Sequence, residues 1–195
     1  AVRVIKDSKH EMFSFWGDWH GKTTASMSLS SLGSTAFGPR AAGSHLSPTP
    51  NCFRCPFKLK YPGCNLTCVD IFEGTVDAEG TGDQAAVVME PIQGYSGSVV
   101  YKDEVIPAIA DICKERNMLL VVDEILSGMG RTGKMFAVEH YDVVPDVIVL
   151  GKGVAGGFPI SAFAVKEEYN WALDKSSAST TYGGNPMACA AGYAT

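Results

Sequence analysis

No apolar run in this sequence reaches the roughly 18 residues that a membrane-spanning helix needs, which sets aside a helical membrane protein. No charged-then-apolar segment opens the chain, so no secretory leader is expected. Positive charge is scarce: 16 Lys and Arg face 21 Asp and Glu, a formal net charge of −5. That shortage speaks against a nucleic-acid partner, which would require a basic face. Internal repeats and low-complexity tracts are absent too. What remains is 195 residues, 46% hydrophobic and 19% charged, enough for a sizeable core and about one domain.

Both ends look cut. The chain starts at Ala1, without Met, in AVRVIKDSKHE, which reads as the end of a helix. It stops in PMACAAGYAT, which reads as the start of another, so a piece of a longer protein is expected. Six cysteines stand at positions 52, 55, 64, 68, 113 and 189. In a chain this long without a leader they read as reduced thiols of a cytoplasmic protein.

Short apolar runs alternate with helical patterns. Met12–Phe15, Ala85–Met89, Met118–Val122, Val147–Leu150 and Ser161–Val165 are expected as strands, and β-branched continuous runs suit strands covered on both faces. Over Lys102–Asn117, the residues Val105, Ile106, Ile109, Ile112 and Cys113 recur at three- and four-residue spacing, an amphipathic helix. Asp103 and Glu104 are expected in its first turn, Lys114 and Arg116 in its last. Strand, helix, strand at this spacing is a βαβ unit, hence an α/β fold with a mainly parallel sheet. The stretch Gly33–Gly74, with five prolines, reads as a long irregular excursion, the Pro/Cys-rich part spanning about 38–74.

A carboxylate and a lysine mark the ends of two of these strands. Asp123 follows MLLVV and Lys152 follows VIVLG. In an open parallel sheet, ligands bind beyond the carboxyl ends of the strands, so both groups would face one crevice. A lysine there can form a Schiff base with an aldehyde cofactor, and a buried carboxylate can hold a protonated pyridine nitrogen. Together they are what a protein contributes to pyridoxal 5′-phosphate (PLP) chemistry. The plainer reading is a pair of ordinary strand-end charges or a salt bridge between them.

The segment VVDEILSGMGRTGKMFAVEHYDVVPDVIVLGKGVAGGFPISAF resembles the core signature of class III aminotransferases of the ornithine and 4-aminobutyrate type. FWGDWHGKT, VVMEPIQGYSG and STTYGGNPMACAAG resemble further blocks of that family, in its order and spacing. The resemblance implies the large domain of a fold-type I PLP enzyme, three-layer α/β/α and incomplete here, with this chain as its central part. It implies Lys152 as the Schiff-base lysine and proton shuttle, and Asp123 as the acid paired with the pyridine nitrogen. Trp19 would stack on one ring face and Ile125 would support the other. Thr181 would reach the cofactor phosphate of a neighbouring subunit, which implies a homodimer. Glu90 would stand near the substrate.

Taken singly, these residues have duller readings: Trp19 as a core aromatic, Glu90 as a solvated strand end, Thr181 as a loop hydroxyl. Only their joint occurrence carries the functional one. His20, counted with the cofactor-binding residues, reads as support for the turn at Gly21. Leu126 departs from the family pattern, which often places Gln or His there to bond the cofactor's phenolic oxygen. The family's Gly/Ser-rich phosphate-binding turn and its C-terminal domain are missing, so this piece alone is not expected to be a competent catalyst.

Gly128-Met-Gly130-Arg-Thr-Gly133 spells G-x-G-x-x-G, but DEILS separates it from the strand and no helical pattern follows, so it does not read as a nucleotide fingerprint. Gly151-Lys152 lacks the upstream glycine of a P-loop. Cys52-x2-Cys55 and Cys64-x3-Cys68 could close a tetrahedral zinc site, against the reading of four reduced loop cysteines. Cys113 and Cys189 read as core. The expected reaction is transfer of an amino group from an amine or amino acid, of the 4-aminobutyrate or ω-amino acid type, to a 2-oxo acid. The alternatives are an amino-acid racemase or epimerase, a decarboxylating transaminase of the same family, or a zinc-stapled interaction module.

Overall fold

The computed structural model describes residues 1–31, 38–172 and 180–195; the first part of the expected excursion, 33–37, lies outside them. Among the described residues the main sheet has six strands: β1 (Glu11–Phe15), β2 (Ser44–Ser47), β3 (Gln84–Met89), β6 (Leu119–Asp123), β7 (Val147–Leu150) and β8 (Ala162–Val165). Their spatial order is β2-β1-β3-β6-β7-β8. All neighbours run parallel except β7 and β8, which are antiparallel. A small antiparallel pair, β4 (Ile92–Gln93) with β5 (Val99–Val100), stands apart. The helices are α1 (Val2–Ile5), α2 (Thr24–Ser28), α3 (Thr67–Glu79), α4 (Val105–Glu115) and α5 (Pro186–Ala194). Every strand expected from the apolar runs is present, within one residue at each end.

Alternation along the strands sorts their side chains onto two faces. On one face Phe13, Phe15, Val87, Met89, Leu120 and Val122 pack against Phe72 and Val76 of α3 and Ile106 and Ile109 of α4. Each such side chain removed from water contributes roughly 1.5–3 kcal/mol, so this layer dominates the fold's stability. Arg116, capping α4, ties the two helices by pairing with Glu73 at 2.8 Å and with Asp77 of α3. On the other face Ala86, Leu119, Val121 and Val147 are covered more thinly, by Val2 and Ile5 of α1 and by Tyr169. The sheet is thus thick on one side and lightly roofed on the other.

Several expectations need correction. The Pro/Cys-rich stretch is not irregular throughout. It contains β2, which pairs with β1, and it yields to α3 at Thr67. β2 reads SHLS, too short and polar for an apolar run, and as an edge strand it needs no continuous hydrophobicity. α3 does carry a helical signature in Val69, Phe72 and Val76, all buried. Helix α4 begins at Val105, so Asp103 and Glu104 precede its first turn rather than sit in it. Cys189 is exposed, not core. Its helix starts cleanly, with Asn185 accepting from Ala188 N–H at 2.9 Å and Pro186 in its first turn, yet buries only Ala188. No helix among the described residues is long and apolar enough to cross a membrane.

Candidate active site

The carboxyl ends of β1, β3, β6 and β7 meet at a pocket of about 390 Å³, within the range of small-molecule sites. Its lining includes Trp19, His20, Glu90, Asp123, Ile125 and Lys152. Six of the seven expected site residues therefore converge. Thr181 does not: it is exposed, in a turn before α5, and outside the lining.

Asp123 is the last residue of β6, the strand buried along its whole length. Its Oδ1 accepts from Ile125 N–H at 3.0 Å, which folds the chain back beside the strand end. Its Oδ2 lies 2.8 Å from Nδ1 of His20, whose side chain is 4% exposed. Burial alone would lower the basicity of the His20 imidazole. The flanking carboxylates, Asp123 and Asp18, overcome that effect and hold the ring well above its ordinary value, at about 10. Lys152 opens a short 3-10 turn directly after β7, and its φ of +44° lies in the left-handed region, uncommon for a side chain other than glycine. It is exposed. Gly151 before it lets Ile125 come close: a Cβ there would stand 3.2 Å from Ile125 Cγ2.

Glu90 follows β3 and is buried. It clamps two loops, accepting from Trp19 N–H at 3.0 Å and from Gly94 N–H at 3.1 Å. Burial pushes its carboxyl up to about 7, against the pull of those two N–H groups. Trp19 in turn stacks on Tyr95, ring centroids 5.0 Å apart and planes 22° from parallel. Leu126 fills the space beside Gly94, where an added Cβ would fall 1.6 Å from its Cδ2. Sequence reasoning missed Ser14, Asp18 and Gln93, all fully buried behind His20. Only the polarity of Ser14 within the apolar run MFSF hinted at them.

The four cysteines at 52, 55, 64 and 68 line one small pocket away from this site. Among the described residues, however, no three of His, Cys, Asp or Glu stand close enough to hold a metal ion. Their spacing does not close the tetrahedral cage: Cys52 is exposed, while Cys68 is fixed in the first turn of α3. The G-x-G-x-x-G stretch lies in consecutive turns and opens no helix of the Rossmann kind.

An amine and a buried carboxylate that share a pocket with an aromatic and an aliphatic wall suit a flat, aldehyde-bearing heteroaromatic ring. The comparisons agree. The Aminotransferase class-III family description matches residues 1–195. The chain is 38% identical over 195 residues to a leucine/methionine racemase of Thermococcus litoralis, covering 95% of this chain and 43% of the relative. It is 37% identical over 192 residues to an acetylornithine aminotransferase of Methanocaldococcus jannaschii, covering 98% and 44%. Among solved structures, an amine transaminase from an uncultivated Pseudomonas species in its PLP-bound form superposes with a TM-score of 0.89 at 28% identity, covering 99% of this chain and 47% of that one. An (S)-enantioselective omega-transaminase from Thermomicrobium roseum does so with a TM-score of 0.88 at 31% identity, covering 99% and 46%. The chain spans less than half the length of these relatives. With the sheet, the strand-end lysine and acid, and a match along its whole length, this chain belongs to the class III aminotransferases.

Proposed function

We propose that this chain is the central part of the PLP-binding large domain of an aminotransferase. The reaction is transfer of an amino group from an amine or amino acid, of the 4-aminobutyrate or ω-amino acid type, to a 2-oxo acid. The observation that carries this reading is the placement of Asp123 and Lys152 at the ends of neighbouring strands, on one pocket. The residues fit the cofactor: Lys152 Nζ for its aldehyde carbon, Asp123 for its pyridine nitrogen, Trp19 and Ile125 for the two faces of its ring. Leu126 offers no donor to its phenolic oxygen. When bound, PLP supplies an electron sink for the bond broken at the substrate's α-carbon.

The chain's own residues then divide the work. Asp123, held by His20 and Ile125 N–H, would keep a proton on the pyridine nitrogen. Lys152 Nζ, exposed on the pocket, would take the proton from the substrate's α-carbon and return it. Trp19 and Ile125 fix the ring's plane, and Glu90 fixes Trp19. Thr181, exposed here, would serve a neighbouring subunit in a cytoplasmic homodimer.

The test is borohydride reduction of the full-length protein with PLP, followed by peptide mass mapping. A pyridoxyl adduct on Lys152 is expected; its absence from a folded protein overturns the reading. A second reading, an amino-acid racemase, is favoured by the 38% identity to the leucine/methionine racemase. A 2-oxo acid requirement separates them. Transamination stops without an acceptor, whereas stereoinversion continues.

A further inference from the structure

We propose that Ser14 and Asp18 are positioning residues that fix His20 as a doubly protonated imidazolium behind Asp123.

Gln93 anchors this buried cluster. Its amide faces the Trp16 carbonyl at 2.8 Å, and only an N–H can face a carbonyl, so Nε2 points there. The second hydrogen of Nε2 goes to Asp18 Oδ1 at 2.9 Å, while Gln93 Oε1 accepts from Thr49 Oγ1. Asp18 Oδ2 accepts from Phe15 N–H at 3.2 Å and from Ser14 Oγ at 3.1 Å. Asp18, fully buried, thus takes a donor on each of its oxygens. The single proton of Ser14 therefore goes to Asp18, and Ser14 Oγ can only accept from His20 Nε2, 3.2 Å away. On the other side of the ring, Nδ1 faces the Asp123 carboxylate at 2.8 Å and must donate. Both ring nitrogens carry a proton.

The charged groups around His20 are Asp18 from the loop after β1, Asp123 from β6 and Glu90 from the end of β3, with Lys152 lining the same pocket from the end of β7. The relay Asp18–Ser14–His20–Asp123 holds two carboxylates and one imidazolium, one net negative charge, beneath the pocket. A neutral histidine would leave either Asp123 or Ser14 without its donor. Toward the cofactor, a cation behind Asp123 spreads that acid's charge and sets how firmly it holds the pyridine proton. This last step rests on the PLP reading; the protonation of His20 does not.

The experiment is nitrogen-detected NMR of the histidine rings in the full-length protein stripped of cofactor, with Ser14→Ala and Asp18→Asn compared. In the wild type both His20 nitrogens should be protonated at pH 8, with the titration midpoint near 10. Asp18→Asn should weaken proton binding by at least about a hundredfold, and Ser14→Ala by about tenfold. A wild-type His20 carrying one proton at pH 8, or a midpoint unmoved by both substitutions, overturns the proposal. Should Asp18→Asn fail to fold, Ser14→Ala, which removes no charge, decides. In the reloaded protein the pH profile of the cofactor's absorbance should shift in the same order. Because the NMR readout needs no cofactor, its failure is distinct from failure to find an adduct on Lys152.

Discussion

Asp123 and Lys152 end neighbouring strands, yet they live in opposite surroundings. Asp123 closes a strand buried along its length and is held on both oxygens, with a relay of buried polar groups behind it. Lys152 leaves a strand near the sheet's edge, beside β8, whose Phe163 is 48% exposed. Its own side chain makes no hydrogen bond among the described residues. The acid is set in place by this chain alone, while the amine stays free. That division suits the proposed chemistry, in which the group that holds a ring is rigid and the one that shuttles a proton moves.

The sharpest way to test the contrast is to remove the amine. Lys152→Ala should cost at least about a thousandfold in turnover. Because the residue is exposed, thermal unfolding should move by no more than about one or two degrees. A large loss of stability would show that the lysine is anchored as firmly as the acid. Next comes the packing behind the acid. Phe72→Ala, in the thick layer, should destabilise by about 3–5 kcal/mol, and Phe163→Ala, at the edge, by less than about 1 kcal/mol, read from urea midpoints.

Acidity offers a gentler probe. Glu90 takes up its proton more readily folded than unfolded, with its folded value raised from 4.5 to about 7. Its contribution is fully present below pH 4.5 and lost as pH rises through 7. His20 is raised from 6.5 to about 10, so its contribution persists to higher pH and is lost through 10. Urea midpoints should therefore fall in two steps, and Glu90→Gln should erase only the lower one. The smallest effect belongs to the open wall. Gly94→Ala forces the half-exposed Leu126 aside, which should alter KM by a few-fold while leaving kcat and stability nearly unchanged.

The sequence revealed the two sides of the site unequally. Lys152, Asp123, Glu90, Trp19 and Ile125 are readable because each sits at a fixed offset from an apolar run or within a familiar block. Ser14, Asp18 and Gln93 are not, because their meaning lies in contacts between the end of β1 with its following loop and β4, more than seventy residues away. The core strands declared themselves through continuous β-branched runs, whereas β2 and the β4–β5 pair are too short to leave a pattern. Cysteine spacing left a metal cage open beside the reading of four loop thiols. The fold instead draws the thiols around one pocket without bringing three of them together. Spacing along a chain constrains distance only where the backbone between is regular.

The backbone at Lys152 carries a last consequence. A lysine with φ of +44° occupies a conformation that a glycine would adopt freely, at a cost of roughly 1 kcal/mol or more. Selection for durability alone would therefore discard this side chain. A library screened only for heat resistance should enrich Lys152→Gly, and the sturdiest survivors would be chemically inert. The position records a demand that endurance opposes.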